Sequence, residues 1–133
     1  MKNAILAGLI GTILGMIFGT LTGTFGAWEP ILGVGGASGS VGFWVVGLVV
    51  GTAVSLAYPY ALAARLPGGS GVVKGVVFGL VVWIVVDIVS LAVPAMNDAA
   101  YASPVAVTLI LTAIMHVIWG GAVGYVNEKK FIA

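Results

Sequence analysis

No cysteine occurs in the 133 residues, which removes disulfides, thiolate metal sites and cysteine nucleophiles from consideration. Charge is almost as scarce. Five basic and four acidic residues make up 7% of the chain, against roughly 25% in an ordinary soluble domain, so there is too little polar surface to cover a water-soluble globule. The net charge of +1 is small and scattered, which excludes a nucleic-acid surface. One histidine and one membrane-embedded carboxylate, without a nucleophile or a metal set, make an incomplete catalytic site, and no enzyme is expected.

What the chain has in abundance is apolar sequence. Hydrophobic residues make up 61% and the mean hydropathy is +1.22, so the bilayer must be the solvent. Four apolar stretches, at about 4–27, 41–64, 72–93 and 104–126, are each long enough for a hydrocarbon core of roughly 30 Å. The expected fold is all-α: an integral membrane four-helix bundle forming a single domain over residues 1–133. The first stretch exceeds the 7–15 apolar residues typical of a signal-peptide core and is read as a retained helix.

The positive charges set an orientation. Lys2 precedes the first helix, Arg65 and Lys74 flank the second connection, and Lys129 and Lys130 follow the last helix, while the other two connections carry only Glu29 and Asp98. The positive-inside bias therefore predicts both termini in the cytoplasm of a bacterial or archaeal plasma membrane. The glycine-rich segment 33–40 has no lysine after its glycines and no preceding strand, so it reads as a connection and not as a phosphate loop. Trp28, Trp44 and Tyr101 fall near the outer boundary and Tyr58, Tyr60 and Tyr125 near the inner one, where they read as interfacial anchors.

Glycine is plentiful and periodic. Gly8, Gly11, Gly15, Gly19, Gly23 and Gly26 fall within an arc of about 120° at 100° per residue, forming one smooth ridge on the first helix. Such a ridge lets another backbone approach, because helix association in lipid depends on packing. Four-residue rows recur as Gly47, Gly51, Ser55 and Pro59; as Gly75, Gly79, Trp83 and Asp87; and as Thr108, Thr112, His116 and Gly120, with Gly124 one turn further on. The segments 11–21 and 71–81 share glycines and a phenylalanine at an offset of 60, which hints at tandem duplication of a two-helix hairpin.

Two ionisable residues lie deep in the apolar runs. Nothing else from Val76 to Pro94 can ionise except Asp87, and His116 lies in the last run. A carboxylate near mid-membrane costs roughly 2.5–3.5 kcal/mol on insertion scales, so it normally faces a partner or water. Counted from Pro94 and Pro104, straight helices would put the two Cα atoms roughly 7 Å apart in depth, with the side chains leaning toward each other. A clasp worth about 0.6–2 kcal/mol and an ion or proton site both fit this pattern. Pro59 removes the helical donor of the Ser55 carbonyl and should bend the second helix. Trp83 and Trp119 need partners for their indole N–H groups, and with Ser55, Pro59 and Thr112 they complete the supporting set.

His116-Val-Ile-Trp119-Gly120, followed by Gly124 and preceded by the Gly75, Gly79, Trp83 row and Pro94, resembles small uncharacterised four-helix bacterial membrane proteins with a His-x-x-aromatic-Gly element on the last helix. The resemblance covers mainly residues 71–126 and implies an architecture without a mechanism. The leading functional reading is a structural or accessory subunit that packs through glycine ridges, in a homo-oligomer or a larger membrane complex. A small homo-oligomeric channel or proton-coupled transporter using Asp87 and His116 is the alternative. A haem-binding subunit through His116 stands last, because the second axial ligand would have to come from another subunit or a non-histidine residue. No cofactor or metal is expected.

Overall fold

The computed structural model describes residues 1–23, 40–92 and 105–132. Expectations for the connections at 33–39 and 95–104, for Trp28 and Tyr101 as anchors, and for Gly26 in the ridge lie outside them. The described residues are all-helical: α1 (Lys2–Thr22), α2 (Ser40–Ala57) continued by a π-helical segment (Tyr58–Leu62), α3 (Gly71–Ala92) and α4 (Val105–Lys129). Four helices are long and apolar enough to cross a membrane. A helix satisfies its backbone donors and acceptors within one segment, as a membrane-crossing segment must, and even the glycine-rich α1 is helical from Lys2 to Thr22.

Two boundaries differ from the sequence reading. α1 stops at Gly23 and not at Ala27, because Gly23 takes the left-handed conformation (φ 70°), and its N–H bonds the Thr20 carbonyl. Gly23 is therefore a helix cap, and among the described residues nothing lies within 4 Å of where its Cβ would be, although a packing contact was expected. α2 does not continue as an α-helix to 64. Pro59 lies in the first turn of the π segment, where the wider turn accommodates its missing donor, and Ala63 N–H closes on the Tyr58 carbonyl at 2.7 Å.

The helices pack in the order α2, α1, α4, α3, with α1 and α4 in the middle. Each interface is a row of small residues. Gly8 meets Ser55 and Thr52, Thr12 meets Gly51, and Met16 meets Gly47, which sets an antiparallel register between α1 and α2. Gly11 and Gly15 lie against Trp119, with Val123 and Met115 on either side, joining α1 to α4. Gly19 is buried on the same helix. On the other flank Gly71 meets Gly124, Gly75 meets Gly120, and Gly79 meets the His116 backbone. The 60-residue offset is not repeated in these contacts. It equates Gly11 and Gly15 with Gly71 and Gly75, yet both pairs pack on α4.

Both ends of the chain lie at one end of the bundle. Asn3 Nδ2 donates to the Ile132 carbonyl at 2.7 Å, and Ile132 N–H donates to Asn3 Oδ1 at 2.8 Å. Lys2, Arg65, Lys74, Lys129 and Lys130 all fall at this end, because each begins or follows a helix there. A buried core of Ala7, Tyr58, Phe78, Trp119, Val123 and Val126 fills the bundle just inside it. Tyr58 is thus a core residue and not an interfacial anchor: it is 3% exposed and donates its hydroxyl to the Gly71 carbonyl at 3.2 Å. Tyr60 and Tyr125 remain exposed.

Candidate functional site

The α3–α4 interface changes character along its length. Toward the basic end it is glycine on backbone: a Cβ on Gly71, Gly75 or Gly79 would strike the backbone of Gly124, Gly120 or His116, and a Cβ on Gly120 or Gly124 would strike α3 in return. Advancing four residues on α3 while retreating four on α4 then brings Trp83 to Thr112, and the indole Nε1–H donates to Thr112 Oγ1 at 3.1 Å. Carried on at the same four-residue step, the row reaches Asp87 on α3 and the buried Thr108 on α4.

Thr112 is the centre of this polar seam. Its hydroxyl accepts from Trp83 and donates to the Thr108 carbonyl at 2.9 Å, while its own carbonyl accepts from His116 Nδ1 at 2.8 Å. A carbonyl can only accept, so the proton of a neutral imidazole is on Nδ1 and Nε2 is the acceptor nitrogen. His116 is buried, with the Trp119 ring edge-on at 6.2 Å. Ser90 and Ser55 are buried as well, and Ser55 Oγ returns to the Thr52 carbonyl at 2.7 Å.

This register bears on the two ionisable residues. Asp87 is level with Thr108, two helical turns from His116, which corresponds to about 12 Å of depth at 1.5 Å per residue. The separation exceeds the roughly 7 Å obtained by counting from Pro94 and Pro104. The glycine row, which fits only one way, sets the register. The Trp83–Thr112 pair occupies the turn between the two residues, and each leans toward it because side chains tilt toward their helix N-terminus. The structure thus gathers Trp83, Thr112 and His116 into one hydrogen-bonded group. Ser55 and Pro59 lie apart from it, on α2 and its π segment.

Sequence reasoning missed a second feature at the basic end. A cavity of about 500 Å³ opens there between the start of α1, the π segment, the start of α3 and the end of α4. Lys74, Lys130, Glu128 and Tyr58 are on its wall. From Tyr58 an aromatic run leads inward: Phe78 at 5.5 Å, Trp119 a further 5.3 Å, then His116. Phe78 carries a weak sequence signal, one residue before Gly79 in the glycine row. The cavity carries none, because four separate chain segments build it.

Among the described residues no group of three or more His, Cys, Asp or Glu side chains could hold a metal ion. No family model, curated protein or solved structure matches this chain. The fold and the seam therefore define a class only: a small four-helix protein able to span a membrane, with a polar seam between its last two helices.

Proposed function

We propose that the protein is a structural or accessory membrane subunit in which the polar seam clasps α3 to α4. The observation that carries this reading is the backbone contact of Gly71, Gly75 and Gly79 with α4, which leaves no width for water between the two helices on the basic side of His116. A hydrogen-bonded group closed in this way fixes register, and isolated apolar helices otherwise have little to choose one register from another. The glycine rows are consumed inside the chain, so association with a partner or a second copy falls to the outward valine and isoleucine faces. These include Val49 and Val50 on α2, and Ile84, Val85 and Ile88 on α3. Both termini are assigned to the cytoplasm, and no catalytic or cofactor role is assigned.

One observation favours the second reading, a small channel or proton-coupled transporter. The cavity at the basic end is linked by the Tyr58, Phe78, Trp119 run to His116, and the neighbouring π segment is a form of helix common at functional sites. A flux assay in proteoliposomes across protons, alkali cations, halides and divalent metals separates the two. The subunit reading expects no flux, and co-purification of a defined partner or a homo-oligomer in mild detergent. Proton flux lost in Asp87→Asn and His116→Gln would establish the transport reading instead.

A further inference from the structure

The cavity at the basic end has a chemistry of its own. Lys74 and Lys130 line it from α3 and from the residue after α4, and among the described residues neither ammonium has an ion-pair or hydrogen-bond partner. Glu128 is the one carboxylate on its wall. The remaining polar groups are mostly spent. Tyr58 donates to Gly71, Asn3 is paired both ways with Ile132, and Asn127 Nδ2 donates to Val123 at 2.9 Å. Ser70 Oγ accepts from Val73 N–H at 3.3 Å, which leaves its own proton to give. Among the side chains of the wall there are therefore two positive charges, Lys74 and Lys130, against one negative, Glu128.

Lys130 follows the last residue of α4 in the left-handed conformation (φ 51°), a common way for a helix to end, with its N–H on the Val126 carbonyl at 3.1 Å, and it lies on the cavity wall. Lys129, one residue earlier, points elsewhere and lies 5.9 Å from the Tyr125 ring.

We propose that this cavity binds an anionic phosphate group through Lys74 and Lys130, with the Ser70 hydroxyl as a third donor. A volume of about 500 Å³ suits a headgroup-sized ligand. The cavity lies at the end of four membrane-length helices, which is the depth of lipid headgroups. An anionic phospholipid headgroup and a free phosphate share the chemistry that the wall selects.

The test is a titration of the full-length protein in non-ionic detergent with short-chain phosphatidylglycerol, short-chain phosphatidylcholine and inorganic phosphate, each followed by calorimetry. The expected result is saturable binding of phosphatidylglycerol or of inorganic phosphate, with net-neutral phosphatidylcholine weaker than either. Binding of phosphatidylglycerol alone identifies a lipid headgroup, and its displacement by inorganic phosphate identifies a soluble ligand. Each of Lys74→Gln and Lys130→Gln should weaken binding about tenfold, the value of one charge-assisted hydrogen bond. Lys2→Gln and Lys129→Gln, off the cavity wall, should leave it unchanged. Glu128→Gln supplies a readout of opposite sign, because removing the one carboxylate should tighten binding even if a lysine variant fails to fold. Failure of both anions to bind, equal losses from the off-wall lysines, or no tightening in Glu128→Gln would overturn the proposal.

Discussion

Trp83 on α3 and Thr112 on α4 are joined by an indole N–H to hydroxyl hydrogen bond of 3.1 Å, at the turn where glycine packing gives way to polar side chains. Thr112 also holds His116 through its carbonyl, so one residue connects the tryptophan of one helix to the histidine of its own. Trp83→Phe and Thr112→Val should each destabilise the protein, and the double variant should lose less than the sum. The coupling expected is about 0.6–1.7 kcal/mol, the range for such bonds in membranes. Additive losses in a thermal or denaturant series would separate the two residues.

Asp87 and His116 are two turns apart on either side of this pair. Asp87→Asn and His116→Gln combined in one protein should therefore show a coupling smaller than that of Trp83 with Thr112. A larger one, measured in the same stability assay, would place the two in direct contact.

The glycines of α3 and α4 differ sharply in what surrounds them. A Cβ on Gly75 or Gly120 would meet backbone of the opposite helix, whereas on Gly121 it would meet only Val76 Cγ2, at 3.5 Å. Gly121→Ala should be neutral or stabilising by up to about 1 kcal/mol through helix propensity. Gly75→Ala and Gly120→Ala should cost about 1–3 kcal/mol or more, because backbone cannot move aside as a side chain can. Detergent melting temperatures of the three variants decide the matter, and equal values would show that the interface is looser than described.

α1 makes a similar contrast testable. Gly8 abuts the Thr52 Cα, whereas a Cβ on Gly15 would reach Met115 and Trp119 at an ordinary 3.6 Å. Alanine should be tolerated at Gly15 and should destabilise at Gly8, while leucine at Gly15 should separate α1 from α4. If Gly15→Leu keeps wild-type stability and oligomeric state, the ridge does not carry that contact.

The basic residues at one end of the bundle make sidedness testable. A single cysteine replacing Ser70, beside that end, should be shielded from an impermeant thiol reagent added to intact cells, and cysteines replacing Ser38 or Asn97 should react. Labelling of the Ser70 variant alone would reverse the orientation.

By itself the sequence determined the number of helices and that each is long and apolar enough to cross a membrane. An apolar run of about 20 residues in lipid has no stable alternative to helix, so the four elements were readable from length and composition alone. Small-residue rows were readable too, because a four-residue spacing lies along one side of a helix. Which row met which was decided only in three dimensions. Gly11 and Gly15 turn to α4, where Trp119 lies against them, while Gly8 and Thr12 turn to α2. The depth of Asp87 relative to His116 depends on the register of α3 on α4, which the glycine-to-backbone contacts set and the prolines do not. Tyr58 looked like an interfacial anchor until the π segment at Pro59 brought it beneath Phe78. The cavity of Lys74 and Lys130 has no sequence signature, since residues 56 positions apart come to line one cavity only when α3 and α4 pack antiparallel along their glycines.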